Sequence, residues 1–238
     1  MKKIVCLIIP CYRVKNKILN LYNSINLKLI DKIIIVDDCC PDSSGKFLQK
    51  KIKNKKKLDF LFLKKNQGVG GATIMGFKKA IKENYKIIIK LDGDGQHEPR
   101  LLKKFIFFNK KKNYDFCKGF RDLNIKNKKN MPNIRFVGNN ILTLLTRLIS
   151  GNWQIKDALN GYFSVKTEFL KKINLNKIKK NYFFEQDMIF NIVINKGKIK
   201  QIKTKTIYDD EKSNLKPLKT ILPFLYYHFE NLLIKIFC

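Results

Sequence analysis

Two aspartates stand one residue apart in "KLDGDGQHEP" (90–99), in a chain that carries 50 Lys+Arg against 19 Asp+Glu. Asp92 and Asp94 repel each other unless something positive sits between them. A divalent cation, a lysine partner, or water around an ordinary solvated turn would each answer that need. Hard cations such as Mg²⁺ take oxygen ligands, usually one or two carboxylates completed by substrate phosphates. Asp92, Asp94 and the side-chain carbonyl of Gln96 offer such a set, and the intervening glycines allow a tight turn and the approach of a bulky anion. A second acid pair, Asp37–Asp38, closes the apolar run "IIIVDD" (33–38). It reads either as a second part of the same site or as a helix N-cap with a turn into Pro41.

Groups of this kind need rigid elements behind them. Short apolar runs at 4–10, 33–38, 58–63, 86–92 and 114–119 read as strands. They lack polar alternation, which predicts burial on both faces, as in a parallel sheet. Helix-like spacing fills 15–29, 45–54, 71–84 and 98–110, and such alternation means βαβ units in a doubly wound sheet. Ligands of open α/β sheets lie outside the carboxyl ends of the strands. Three polar clusters fall at such ends: Pro10–Tyr12, Asp37–Asp38 and Asp92–Gln96. Further on, Pro132 and Gly151 bracket a helix, "NGYFSV" (160–165) reads as a strand, 182–197 as a helix closed by Gly197, and 198–207 as an exposed strand. No internal repeat is present.

Composition narrows the function classes. A hydrophobic content of 45% over 238 residues suits a globular domain. The net charge of +31 attracts anions in general, but the lysines are spread through nearly every segment, so a basic nucleic-acid-binding protein is a remote alternative and no nucleic-acid partner is expected. An anionic substrate or membrane surface fits the charge equally well. Six cysteines show no zinc-like spacing, and His97 and His228 are too few for a zinc site. The N-terminal apolar run meets Pro10 without a cleavage site and reads as a strand, which points to a cytoplasmic protein. Trp153 reads as a core residue. The tail at 216–238 is apolar and aromatic but broken by Pro223, Glu230 and Lys235. It is too short to span a bilayer and suits either a membrane interface, peripheral on the inner face, or packing against protein.

In order and spacing, "IIPCY", "IIIVDDCCPDSSGK", "NQGVGGATIMGFKKA" and "LDGDGQHEP" resemble the family 2 glycosyltransferases, and among them the dolichol-phosphate mannose synthase-like and bacterial polyprenyl-phosphate branch. The resemblance covers roughly residues 3–210. It implies an α/β GT-A nucleotide-diphospho-sugar transferase fold, a mostly parallel Rossmann-like sheet flanked by helices, with one domain at 1–215 followed by the tail. It also implies a nucleoside diphosphate sugar donor, a Mg²⁺ or Mn²⁺ cofactor, and transfer of one sugar with inversion to a polyprenyl phosphate in cell-envelope glycan synthesis. A glycan hydroxyl is the alternative acceptor.

Carried over by matching residues, Pro10, Tyr12, Asp37, Asp38, Gly68 and Gly70 border the nucleotide. Asp92, Asp94 and Gln96 hold metal and diphosphate, with Asp94 and Gln96 as the direct ligands. Arg121 faces the diphosphate, Arg135 the acceptor phosphate, and Asp157 the donor sugar. Glu185 and Asp187, in "FFEQDMIF", match the region that supplies a base when the acceptor is a hydroxyl. The other reading of these two is exposed helix acids paired with lysines. Arg13 and Val14 depart from the family's usual Asn-Glu after the first strand. Cys39–Cys40 replaces Gly-Ser, and the Gln-x-x-Arg-Trp signature of processive synthases is absent.

Overall fold

A computed structural model describes residues 3–121, 133–205 and Tyr227. Seven strands run in the order β3-β2-β1-β4-β6-β5-β7: β1 (Val5–Cys11), β2 (Lys32–Asp37), β3 (Leu58–Phe62), β4 (Ile87–Lys90), β5 (Phe116–Phe120), β6 (Phe163–Lys166) and β7 (Ile199–Lys203). All pairings are parallel except those of β6, which runs antiparallel to both β4 and β5. The helices are α1 (Lys15–Ser24), α2 (Ser44–Lys51), α3 (Gly68–Lys82), α4 (Leu102–Lys110), α5 (Asn133–Ser150), α6 (Thr167–Leu170) and α7 (Phe184–Ile194).

Side chains alternate across the sheet, and the apolar runs of β1, β2, β4 and β5 are buried on both sides, whereas β3, expected to be buried likewise, is an edge strand and only half-buried. Ile8, Ile34, Ile88 and Phe163 point to one layer, where Phe77 of α3 and Phe184 of α7 pack. Leu7, Ile9, Ile33 and Ile89 point to the other, against Ile18 of α1, Leu48 of α2 and Phe105 of α4. The chain builds outward from β1 to β3, then returns to place β4 on the other flank of β1. That reversal makes the carboxyl ends of β1 and β4 the topological switch point, the place where such sheets hold ligands.

Several boundaries differ from the sequence reading. The first helix stops at Ser24, and a separate 3₁₀ turn spans Leu27–Leu29, capped by the Asn26 side chain. Pro99 opens another 3₁₀ turn before α4. The last strand is half-buried, not exposed, because it pairs with β5. Trp153, expected in the core, is 61% exposed. The domain boundary at 215 and, apart from Tyr227, the aromatic tail lie outside the described residues. Among the described residues no helix is long and apolar enough to cross a membrane.

Candidate active site at the carboxyl ends of β1, β2 and β4

The acid pair at the tip of β4 is split between two partners. Lys90, the last residue of β4, is fully buried, and its Nζ lies 2.7 Å from Asp92 Oδ1 and 3.1 Å from Glu185 Oε1 on α7. Burial works against its charge, but the two carboxylates outweigh it and hold the pKa above the usual lysine value. Burial likewise works to raise the Asp92 carboxyl, and the Lys90 ammonium more than reverses that, leaving it below the ordinary range. Of the partners open at the outset, the lysine is present beside Asp92. The expectation that Asp92 is a metal ligand therefore meets a carboxylate with one oxygen already engaged.

Asp94 and Gln96 sit differently. Both are partly exposed, and Asp94 Oδ1 accepts the Gln96 N–H at 3.0 Å, which shapes the loop as an Asx turn. Gly95 between them has φ +73°, and a Cβ there would meet nothing within 4 Å. The loop is thus open on the Gly95 side and closed at Gly93, where a Cβ would lie 2.9 Å from the Pro10 carbonyl. Among the described residues no group of three or more His, Cys, Asp or Glu is arranged around a metal position. The donors that are present, a carboxylate and an amide carbonyl, are hard oxygen ligands. They fit a Mg²⁺ or Mn²⁺ whose remaining positions are filled by phosphate oxygens and water.

At the end of β2 the two acids also divide. Asp37 Oδ1 accepts the Cys40 N–H at 2.8 Å and Oδ2 the Gly45 N–H at 2.8 Å. Asp37, expected at the nucleotide, ties the β2–α2 loop together. Asp38 is buried and accepts the Gln67 N–H at 2.7 Å. Burial lifts its carboxyl above the usual range, although the Gln67 and Gly68 amides pull the other way. Cys39 has φ +52° and is exposed, a conformation that glycine adopts without strain. Cys40 acts as a serine would, accepting the Arg13 N–H at 2.9 Å and donating to Asp42 Oδ1 at 2.7 Å. This gives the replacement of Gly-Ser a physical account. Tyr12 is exposed beyond Pro10, with the Arg13 guanidinium 5.4 Å from its ring centre.

The glycine turn that opens α3 presses on protein. Gly70 N–H donates to the Lys180 carbonyl at 3.1 Å, and a Cβ on Gly70 would lie 2.7 Å from that oxygen and 2.8 Å from Phe184 Cβ. Gly68, at φ +76°, approaches the same carbonyl. These glycines let α3 reach the segment before α7, whatever they border beyond it.

Arg121, just past β5, is joined to Asp157. Its Nε lies 2.7 Å from Oδ2, its Nη2 3.0 Å from Oδ1, and its backbone N–H 3.0 Å from Oδ2. Asp157 is fully buried, and burial works to raise its carboxyl, but the guanidinium keeps it low. Two residues expected to meet different parts of a donor are thus a fixed pair. The α7 acids, read as either bases or exposed helix acids, are both buried. Glu185 faces Lys90. Asp187 Oδ2 accepts the Lys179 N–H at 2.8 Å, and Oδ1 lies 3.2 Å from the Tyr227 hydroxyl. Arg135 falls in the first turn of α5, and its side chain lies outside the described residues.

This chain matches the profile described as Glycosyl transferase family 2 over residues 6–174. The chain belongs to that family. The glycosyltransferase is 32% identical over 222 residues to the UDP-N-acetylglucosamine–dolichyl-phosphate N-acetylglucosaminyltransferase of Methanococcus voltae, with 87% of each chain covered. It is 27% identical over 159 residues to the undecaprenyl-phosphate mannosyltransferase of Micrococcus luteus, covering 66% of this chain and 64% of that one. A solved structure of glucosyl-3-phosphoglycerate synthase from Mycobacterium tuberculosis, in complex with Mn²⁺, UDP and glucosyl-3-phosphoglycerate, superposes with a TM-score of 0.67 at 14% identity. The overlap covers 97% of this chain and 79% of that one and shows the shared GT-A fold.

Sequence reasoning passed over the cationic half of this glycosyltransferase's site. Lys90 and Lys118 are both buried in the sheet, and Lys118 donates to the Asn160 carbonyl. Burial lowers the Lys118 amine to about 8, the charges of Asp157 and Glu185 only partly compensating. A signal for both was present, since a lysine interrupts each apolar strand, in "IIIKLD" and "DFCKGF". Gly161 of "NGY" gave no such signal, yet a Cβ there would collide with Asp92 Oδ2 and the Lys90 ammonium.

Proposed function

We propose that this glycosyltransferase moves one sugar from a nucleoside diphosphate sugar to a polyprenyl phosphate, with inversion at the anomeric carbon, in cell-envelope glycan synthesis. The donor sits at the switch point between β1 and β4, bordered by Pro10, Tyr12 and Asp38, with its diphosphate over the Asp94–Gln96 loop. Asp94 and Gln96, with Asp92 behind them, would hold a Mg²⁺ or Mn²⁺ there, and the bound ion would supply Lewis-acid stabilisation of the departing diphosphate. Arg121, fixed by Asp157, provides preorganised positive charge toward the same leaving group. Lys90 keeps Asp92 from adding a second full negative charge where the diphosphate must bind.

The acceptor assignment rests on one observation in particular: both acids of α7 are engaged in buried interactions, Glu185 with Lys90 and Asp187 with the Lys179 amide and Tyr227. A sugar hydroxyl needs a base to remove its proton. A phosphate monoester, whose second pKa is about 6, is already ionised near neutral pH and needs cations instead, a task suited to Arg135 at the start of α5. The relatives named for dolichyl and undecaprenyl phosphate support the same choice. A lipid acceptor also calls for a peripheral contact with the membrane that carries it.

The test is nucleotide release from a panel of sugar nucleotides, with Mn²⁺ and with polyprenyl phosphate either present or absent. Release that requires polyprenyl phosphate and persists in Asp187→Asn is expected. Release driven only by a sugar hydroxyl, and lost in Asp187→Asn, would replace this acceptor with a glycan.

A further inference from the structure

Helix α5 is turned inside out. Among its described side chains the buried ones are Asn139, Thr143, Thr146 and Ser150, all polar. They are accommodated by hydrogen bonds: Thr143 Oγ1 accepts the Ala158 N–H at 3.1 Å, Thr146 Oγ1 accepts from Gln186 Nε2 at 3.2 Å, and Ser150 Oγ donates to the Thr146 carbonyl at 2.6 Å. The opposite face carries Val137, Ile141, Leu144 and Leu148, exposed by 53%, 51%, 46% and 50%. Their spacing of four, three and four places them in one stripe along the helix. An ordinary surface helix presents its apolar stripe to the core and its polar face to water. Here the pattern is reversed over almost the whole length of an 18-residue helix, so the medium designed to meet the outer face is apolar.

The surroundings identify that medium. Trp153, the sole tryptophan, follows the end of α5 and is 61% exposed. It lines a cleft with Arg147, Lys156 and Lys200, so an indole and three cations gather at the carboxyl end of the helix, where Lys156 and Lys200 also lie over the rings of Phe120 and Phe108. Apolar stripe, interfacial aromatic and basic margin together form the pattern of a helix lying in the headgroup region of an anionic bilayer. A second copy of the chain would bring another net charge of +31 against the first, which opposes association, whereas an anionic surface is attracted. Tyr227 of the tail packs with Phe183, Leu142 and Leu145, residues that do not belong to the exposed stripe.

The geometry points to the Val137–Leu148 face of α5 as the surface by which this protein docks on an anionic membrane. It gives the peripheral contact proposed above an address in the described fold, and it rests on the helix's own pattern and not on the identity of the acceptor.

The sole tryptophan makes the test direct. Purified full-length protein is titrated with phosphatidylcholine vesicles containing phosphatidylglycerol, following Trp153 emission and co-flotation. A blue shift and flotation are expected, with the triple variant Ile141→Ser, Leu144→Ser, Leu148→Ser binding at least about tenfold more weakly, as expected for lost apolar burial. UDP binding measured in solution is expected to be unchanged in that variant, which shows that it is folded. The apolar-conserving variant Ile141→Leu, Leu148→Met should bind as the parent does. Equal vesicle binding by the serine variant, or no binding by the parent, would overturn the inference. So would sedimentation showing a parent dimer that the serine variant dissolves, which would make the stripe a contact between copies. Sugar transfer is read in a separate assay, so failure of the acceptor assignment leaves this result standing and the reverse also holds.

Discussion

At the residue scale, the site consists of charges arranged to cancel one another in part. Lys90 is held between Asp92 and Glu185, and removing its ammonium leaves two carboxylates facing each other in the interior. Lys90→Met should cost about 3–5 kcal/mol of stability in denaturant unfolding, the usual penalty for breaking a buried ion pair, and adding Glu185→Gln should recover part of it. Asp94→Ala should abolish transfer while leaving the unfolding free energy within about 0.5 kcal/mol of the parent, since it sits on the open side of its loop. Lys118 gives a pH signature. Its amine titrates at about 8 in the folded protein against the usual 10.5. Within that window the unfolded chain holds a proton that the folded protein has released, so stability climbs as pH rises through it and the full cost of the buried cation is felt below pH 8. Unfolding measured across this range should show a climb of about 3 kcal/mol that Lys118→Met flattens.

At the scale of elements, the sheet was legible and the wiring between its parts was not. Strands buried on both faces leave continuous apolar runs, and these, with the alternating pattern of the last strand, placed all seven to within a few residues. Helix ends moved where local chemistry intervened, at the Asn26 side chain and at Pro99. The antiparallel direction of β6 left no trace, because "GYFSV" reads the same whichever way it runs. Lys90 and Glu185 are 95 residues apart, and no local pattern announces such a pair. What the sequence did carry was a lysine inside an apolar strand, a costly placement that implies a buried partner. Gly161 belongs to the same wiring. Gly161→Ala should force a methyl group into the Lys90–Asp92 pair, destabilise the fold by about 1–3 kcal/mol as overpacking does, and weaken nucleotide binding with it, measured by thermal unfolding with and without the nucleotide that the sugar-nucleotide panel selects.

At the scale of the whole molecule, donor and cation should arrive together. The described residues supply too few ligands to retain a metal alone, so equilibrium dialysis should find Mn²⁺ bound tightly only when nucleotide is present. EDTA should stop transfer completely and reversibly without lowering the melting temperature of the nucleotide-free protein. Most of the fold and the order of the motifs could be read from the chain because they depend on apolar runs and short spacings. The polar interior of α5 and the split between Asp92 and Asp94 could not, because both depend on which side of an element faces protein.

The Lys90 bridge has a consequence for how the chain is made. A ribosome releases β4 long before it reaches α7, so the nascent N-terminal half carries an ammonium group whose second counter-charge has not yet been synthesised. Closing β4 into the sheet at that stage would bury this cation with half its compensation missing, so the sheet's centre is best sealed late. Fragments truncated ahead of residue 184 should therefore remain open and sensitive to protease, although they contain every motif that identifies the fold.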